Sequence, residues 1–68
     1  MERTAVQSSN IISIGYDSNS STLELEFKNG IYQYFGVPQN IFDDLMNAGS
    51  KGSYFLQNIK NTYPCTKA

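Results

Sequence analysis

Leu23-Glu24-Leu25-Glu26-Phe27 and Ile31-Tyr32-Gln33-Tyr34-Phe35, joined through Lys28-Asn29-Gly30 and closed by Val37-Pro38, decide the fold. Both runs alternate apolar and polar residues with the period of a half-buried strand. Asn-Gly favours positive φ at both central positions of a tight turn, so the pair reads as a hairpin centred on Asn29-Gly30. Pairing outward from that turn sets Phe27 opposite Tyr32 and Leu25 opposite Tyr34. Leu23, Leu25, Phe27, Tyr32 and Tyr34 then share one face, directed to the core.

Upstream, Ile12, Ile14 and Tyr16 alternate with Ser13 and Gly15, which predicts a strand whose apolar face continues the hairpin's. Asp17-Ser18-Asn19-Ser20-Ser21 is a turn cluster between the two. The strands are expected at Ile11–Tyr16, Thr22–Lys28 and Ile31–Phe35, as a three-stranded antiparallel meander. Residues 1–9 read as a flexible N-terminal arm able to add a brief edge strand through Ala5 and Val6. Residues 10–64 form one domain, and 65–68 a C-terminal tail.

Downstream, Val37-Pro38 ends the sheet, and proline at the first helical position opens a helix. Ile41, Phe42, Leu45, Met46 and Ala48 lie on one side of it, with Asn40, Asp43, Asp44 and Asn47 on the other. Gly49 is placed to stop this helix in a left-handed conformation and Ser50 to cap the next. The second helix groups Gly52, Phe55, Leu56, Ile59 and Tyr63 in one buried stripe and runs to Pro64. The expected architecture is α+β, a β-β-β-α-α chain with both helices packed on the face of Leu25 and Tyr34.

The chain has 68 residues, a net charge of −1, one cysteine and no histidine. A domain of this size buries roughly 60% of its unfolded surface, leaving little depth for a catalytic cleft. The commonest general base and metal ligand is missing. No nucleophile-base pair, metal-ligand set or Walker loop is visible, so no enzyme, cofactor or metal is expected. Glu24 and Glu26 share a strand face but read as solvated charges beside Lys28. Cys65 reads as an ordinary thiol. No leader or membrane-spanning run is present, and a cytoplasmic location is expected. All six carboxylates precede Leu45, whereas Lys51, Lys60 and Lys67 follow it, so the last third is locally basic.

Two surfaces stand out. Ser50-Lys51-Gly52-Ser53 combines a helix start, two hydroxyls and a cation, the chemistry of a small anion site. With Tyr54, Asn58 and Asn61 it makes a polar and aromatic strip that suits phosphates and a base, and equally suits a capped helix with a solvated face. The reverse side of the sheet exposes Ile31, Gln33 and Phe35 beside Glu24, Glu26 and Lys28. Ile31 and Phe35, joined by Ile11, form an apolar patch for a protein partner or a second copy.

The ordered set Ser9-Asn10-Ile11, Ile14-Gly15-Tyr16-Asp17, Leu23 to Phe27, Gly30 and Tyr32-Gln33-Tyr34 resembles the KTSC domain family. Val37-Pro38, Ser50-Lys51-Gly52-Ser53-Tyr54-Phe55, Ile59 and Tyr63-Pro64 complete the resemblance. That short domain is found at the C-terminus of some lysyl-tRNA synthetases and as stand-alone bacterial proteins. The resemblance implies no catalytic residue and suggests RNA as a partner. Tyr32, Tyr34, Val37 and Pro38 are motif positions expected in the core. The function expected is a non-enzymatic interaction module. It would bind RNA or another anion through Ser50, Lys51, Gly52, Ser53, Tyr54 and Asn58, or alternatively a protein through Ile31, Gln33 and Phe35.

Overall fold

The computed structural model describes Met1–Ala68. Its elements are β1 (Thr4–Ala5), β2 (Ile11–Asp17), β3 (Thr22–Phe27), β4 (Gly30–Phe35), α1 (Gln39–Asn47), α2 (Lys51–Asn58) and β5 (Cys65–Lys67). The strands form one antiparallel sheet in the order β1-β2-β3-β4-β5. The α+β class and the two helices are as the sequence predicts, but the sheet has five strands, not three. The outer strands of a meander leave rows of unpaired N–H and C=O groups, which short segments can satisfy without any apolar pattern. Thr4–Ala5 pairs with β2 and Cys65–Lys67 with β4, and both are exposed.

The hairpin register also differs. Leu25 pairs with Tyr32, Leu23 with Tyr34 and Phe27 with Gly30, two residues away from the expected pairing. The turn is therefore Lys28-Asn29. Gly30 carries a positive φ of 143° while Asn29 does not, so glycine alone absorbs the conformation that the sequence assigns to Asn and Gly together. A displacement of two residues preserves alternation, and the inward face keeps its members.

A β-bulge between Ile11 and Ser13 alters β2. Ile11 pairs with Phe27 and Ser13 with Glu26, which leaves Ile12 unpaired. The extra residue reverses the expected alternation: Ile11 is buried in the core and Ile12 is 42% exposed. Ile11 therefore takes no part in an outer apolar patch.

Ile11, Ile14, Leu23, Leu25, Tyr34, Val37, Leu45, Phe55 and Ile59 form the core on one side of the sheet. Leu45 projects from α1 and Phe55 from α2, so both helices cover this face. Tyr16 adds a stacked contact with Phe42 on α1, at 4.9 Å between ring centroids, and its hydroxyl donates to the Val37 carbonyl. Pro38 sits one residue earlier than expected, as the cap of α1, and its carbonyl accepts from the N–H groups of Ile41 and Phe42. Gly49 has no positive φ, because Ala48, in extended backbone, already ends α1. The hydroxyl of Ser50 caps α2 by accepting from the Ser53 N–H at 3.3 Å. That helix stops at Asn58, short of Pro64, since the chain turns back at Ile59, whose carbonyl accepts from Thr62 and Tyr63. Leu56, expected in the buried stripe, is 54% exposed.

Candidate functional site

The two helices leave part of the inner face open. Between α2, the β3-β4 turn and β5 lies a cleft of about 650 Å³, within the range of small-molecule sites. Phe27, Tyr32, Tyr34 and Phe55 contribute its aromatic surface. These rings pack edge to face: Phe27 and Tyr32 at 5.7 Å, Tyr34 and Phe55 at 5.5 Å, with Phe27 and Phe55 tilted at 5.3 Å.

Cations surround this aromatic floor. Lys28 enters from the turn and Lys60 from the end of α2. Lys67 pairs with Tyr32 in the β4-β5 ladder and so projects on the same face, its Nζ 5.9 Å above the Tyr32 ring. The Lys67 stem crosses Gly30 so closely that a Cβ there would lie 2.6 Å from its Cε. No carboxylate lines the cleft. The acidic residues lie elsewhere: Glu24 and Glu26 on the reverse face of the sheet, Asp43 and Asp44 on α1.

The reverse face is closed by its own hydrogen bonds. Arg3, from the segment leading into β1, crosses Gly15, where a Cβ would meet the Glu2 carbonyl oxygen at 2.5 Å and the Arg3 Cγ at 2.9 Å. Its guanidinium reaches the Ser13 hydroxyl and the Glu24 carboxylate. Gln33 donates to the other Glu24 oxygen, and Ser13 donates to Glu26. Glu24 is consequently buried and ionised, its carboxyl held below the usual value chiefly by the Gln33 bond and further by Arg3, against the opposing effect of burial.

The residues singled out from sequence fall in several places. Of the helix-start set, only Gly52 lines the cleft. Ser50 is spent on capping Ser53, Lys51 Nζ donates to the Ala48 carbonyl, and Asn58 donates to the Tyr54 carbonyl. Burial and the neighbouring Asp44 carboxylate raise the Tyr54 phenol, which puts a negative charge beside that strip. On the reverse face, Gln33 is engaged by Glu24, Ile31 is half-buried and Phe35 is 37% exposed. Tyr34 is buried, Tyr32 packs against the core and Val37 is fully buried, but Pro38, expected in the core with them, is exposed as the cap of α1. No three His, Cys, Asp or Glu side chains converge as they would to hold a metal.

Sequence reasoning missed Lys28, Lys60 and Lys67 as neighbours. They come from a turn, a helix end and an edge strand, separated by 32 and 7 positions. The basic bias after Leu45 was the available signal, but without β5 it had no surface to point to. Cys65, opposite Tyr34 in the same ladder, also lines the cleft. Burial first, and this thiol second, push the Tyr34 phenol up to about 12. No helix is long and apolar enough to cross a membrane.

Comparisons with known proteins bear on this arrangement. The family model described as the KTSC domain matches residues 7–63. The crystal structure of a KTSC domain protein from Yersinia pestis superposes with a TM-score of 0.97 at 44% identity, over 98% of this chain and 96% of that one. An uncharacterized protein of Stutzerimonas stutzeri is 43% identical over 61 residues, which is 88% of this chain and 86% of the relative. A lysine–tRNA ligase of Trichormus variabilis is 45% identical over 49 residues, 71% of this chain but only 9% of the ligase.

Proposed function

The chain belongs to the KTSC domain family, and from that membership we propose that it is a non-catalytic binding module whose partner is RNA. The observation that carries this reading is the cleft with Lys28 and Lys60 in its walls, Lys67 over Tyr32 and no carboxylate in its lining. Local charge matters more than the net value of −1, because the sheet and α1 separate most of the acids from the lysines. Aromatic rings beside cations suit a polyanion that carries planar groups. The presence of a related segment in a lysine–tRNA ligase agrees with an RNA partner. The cleft, more than the start of α2, is the surface that this reading uses, since the polar groups of Ser50, Lys51 and Asn58 already have partners.

Fluorescence anisotropy with labelled RNA at low salt tests the reading. The parent is expected to bind, and the Lys28→Ala/Lys60→Ala protein to bind more weakly, with a salt slope shallower by about 0.7 for each phosphate that is no longer neutralised. Lys51→Ala is expected to bind as the parent does. Absence of RNA binding, or a double variant indistinguishable from the parent, defeats it.

A further inference from the structure

Building on that reading, we infer that the cleft seats one or two unpaired nucleotides of a single strand, with a base set against the Phe27 and Tyr32 rings, and that it rejects duplex RNA. Three observations converge. The first is size. A volume of about 650 Å³ is that of a small-ligand pocket, and the rings lie within a recess bounded by the β3-β4 turn and α2. A base held in a helix presents only its edge, whereas an unstacked base can enter edge-on and offer its face.

The second is the distribution of charge around the floor. Lys28 and Lys60 line the recess from different parts of the chain, and Lys67 comes over Tyr32 from β5. Cations and aromatic rings lining one recess match a backbone that passes over it while its base turns into it. A surface for duplex backbone would need cations along a ridge, and Lys51, the lysine within α2, is occupied by the Ala48 carbonyl.

The third is a set of uncommitted amides. Asn10, Asn29 and Asn61 line the cleft, and the side chains of all three make no hydrogen bond within the protein. Each carboxamide presents one acceptor and two donors, the complement of a base edge.

Gly52 gives the recess its width on the side of α2. A Cβ there would point at the Asn10 amide, 3.4 Å from its nitrogen, without striking backbone. Alanine at this position is sterically tolerated and favours a helix more than glycine does, so Gly52→Ala separates binding from folding.

The test titrates the full chain with an unstructured RNA oligonucleotide, a hairpin stem of the same length without unpaired residues, and adenosine monophosphate. Binding is followed by quenching of tyrosine fluorescence and by NMR shifts of the ring protons of Phe27 and Tyr32. The single strand is expected to bind at least about tenfold tighter than the stem, with the ring shifts confined to the cleft. Tyr32→Leu should weaken single-strand binding about tenfold or more, and Gly52→Ala should weaken it while thermal unfolding stays at or above that of the parent. Adenosine monophosphate, which has one phosphate, should shift the same rings at far higher concentration. Equal affinity for strand and stem, with Lys28 and Lys60 still required, overturns the unpaired-base inference and leaves RNA binding standing. Loss of binding to every RNA overturns both. Tight binding of the mononucleotide alone overturns the strand in favour of a nucleotide ligand. A Tyr32→Leu protein that is folded by NMR and binds as the parent does also overturns the inference.

Discussion

Gln33 donates its side-chain N–H to Glu24 at 2.8 Å across neighbouring strands, and this bond does most to keep the Glu24 carboxyl acidic despite its burial. A carboxyl with a folded-state pKa below its unfolded value near 4.5 contributes stability that is present above that pH. The contribution disappears as pH falls through the lower, folded-state value. Glu24→Gln is therefore expected to be less stable at pH 7 by about 1–3 kcal/mol, since Arg3 loses its charged partner. The gap to the parent should shrink on acidification below about pH 4.5. Urea unfolding at pH 7 and pH 3 checks both statements, and a gap that widens in acid contradicts the assignment.

Gly15 accommodates the chain before β1. A methyl group at this position would lie 2.5 Å from the Glu2 carbonyl oxygen and 2.9 Å from the Arg3 Cγ. Gly15→Ala is expected to push this segment off the sheet and to cost about 1–3 kcal/mol. Hydrogen exchange should show the loss first at Thr4 and Ala5. Unchanged protection there would mean that β1 does not depend on this close approach.

Tyr34 should stay protonated to about pH 12, because burial first and Cys65 second disfavour its phenolate. A raised folded-state value gives stability that is whole below the ordinary phenol value near 10 and is lost as pH rises through 12. Absorbance titration should find one phenol ionising late, at the pH where the fold opens. The late step should be missing from Tyr34→Phe.

Leu45 is fully buried beneath α1, whereas Leu56 on α2 is 54% exposed at the cleft. Leu45→Ala is expected to cost about 2–5 kcal/mol, enough to unfold much of a domain of this size. Leu56→Ala should stay within about 0.5 kcal/mol of the parent. Thermal melts of the two proteins compare them directly, and similar losses would mean that Leu56 is packed as the helical period alone implies.

The alternation of Leu23, Leu25, Tyr32 and Tyr34 was legible from sequence because a strand's period survives a register error of two residues. The helix faces around Leu45 and Phe55 were legible for the same periodic reason. The bulge at Ile12 was not. It has no composition of its own, and Ile11-Ile12 offers two equal candidates for the core position. The edge strands were not legible either, since Thr4-Ala5 and Cys65-Thr66-Lys67 form through backbone groups that every sequence possesses. Missing β5 also hid the candidate site: without it, Lys67 has no place near Tyr32, and the basic residues of the last third point only to α2.

β5 is a three-residue, wholly exposed strand paired with one edge of the sheet. Fraying of so short an edge would carry Lys67 away from Tyr32 while the core around Leu25, Leu45 and Ile59 stays closed.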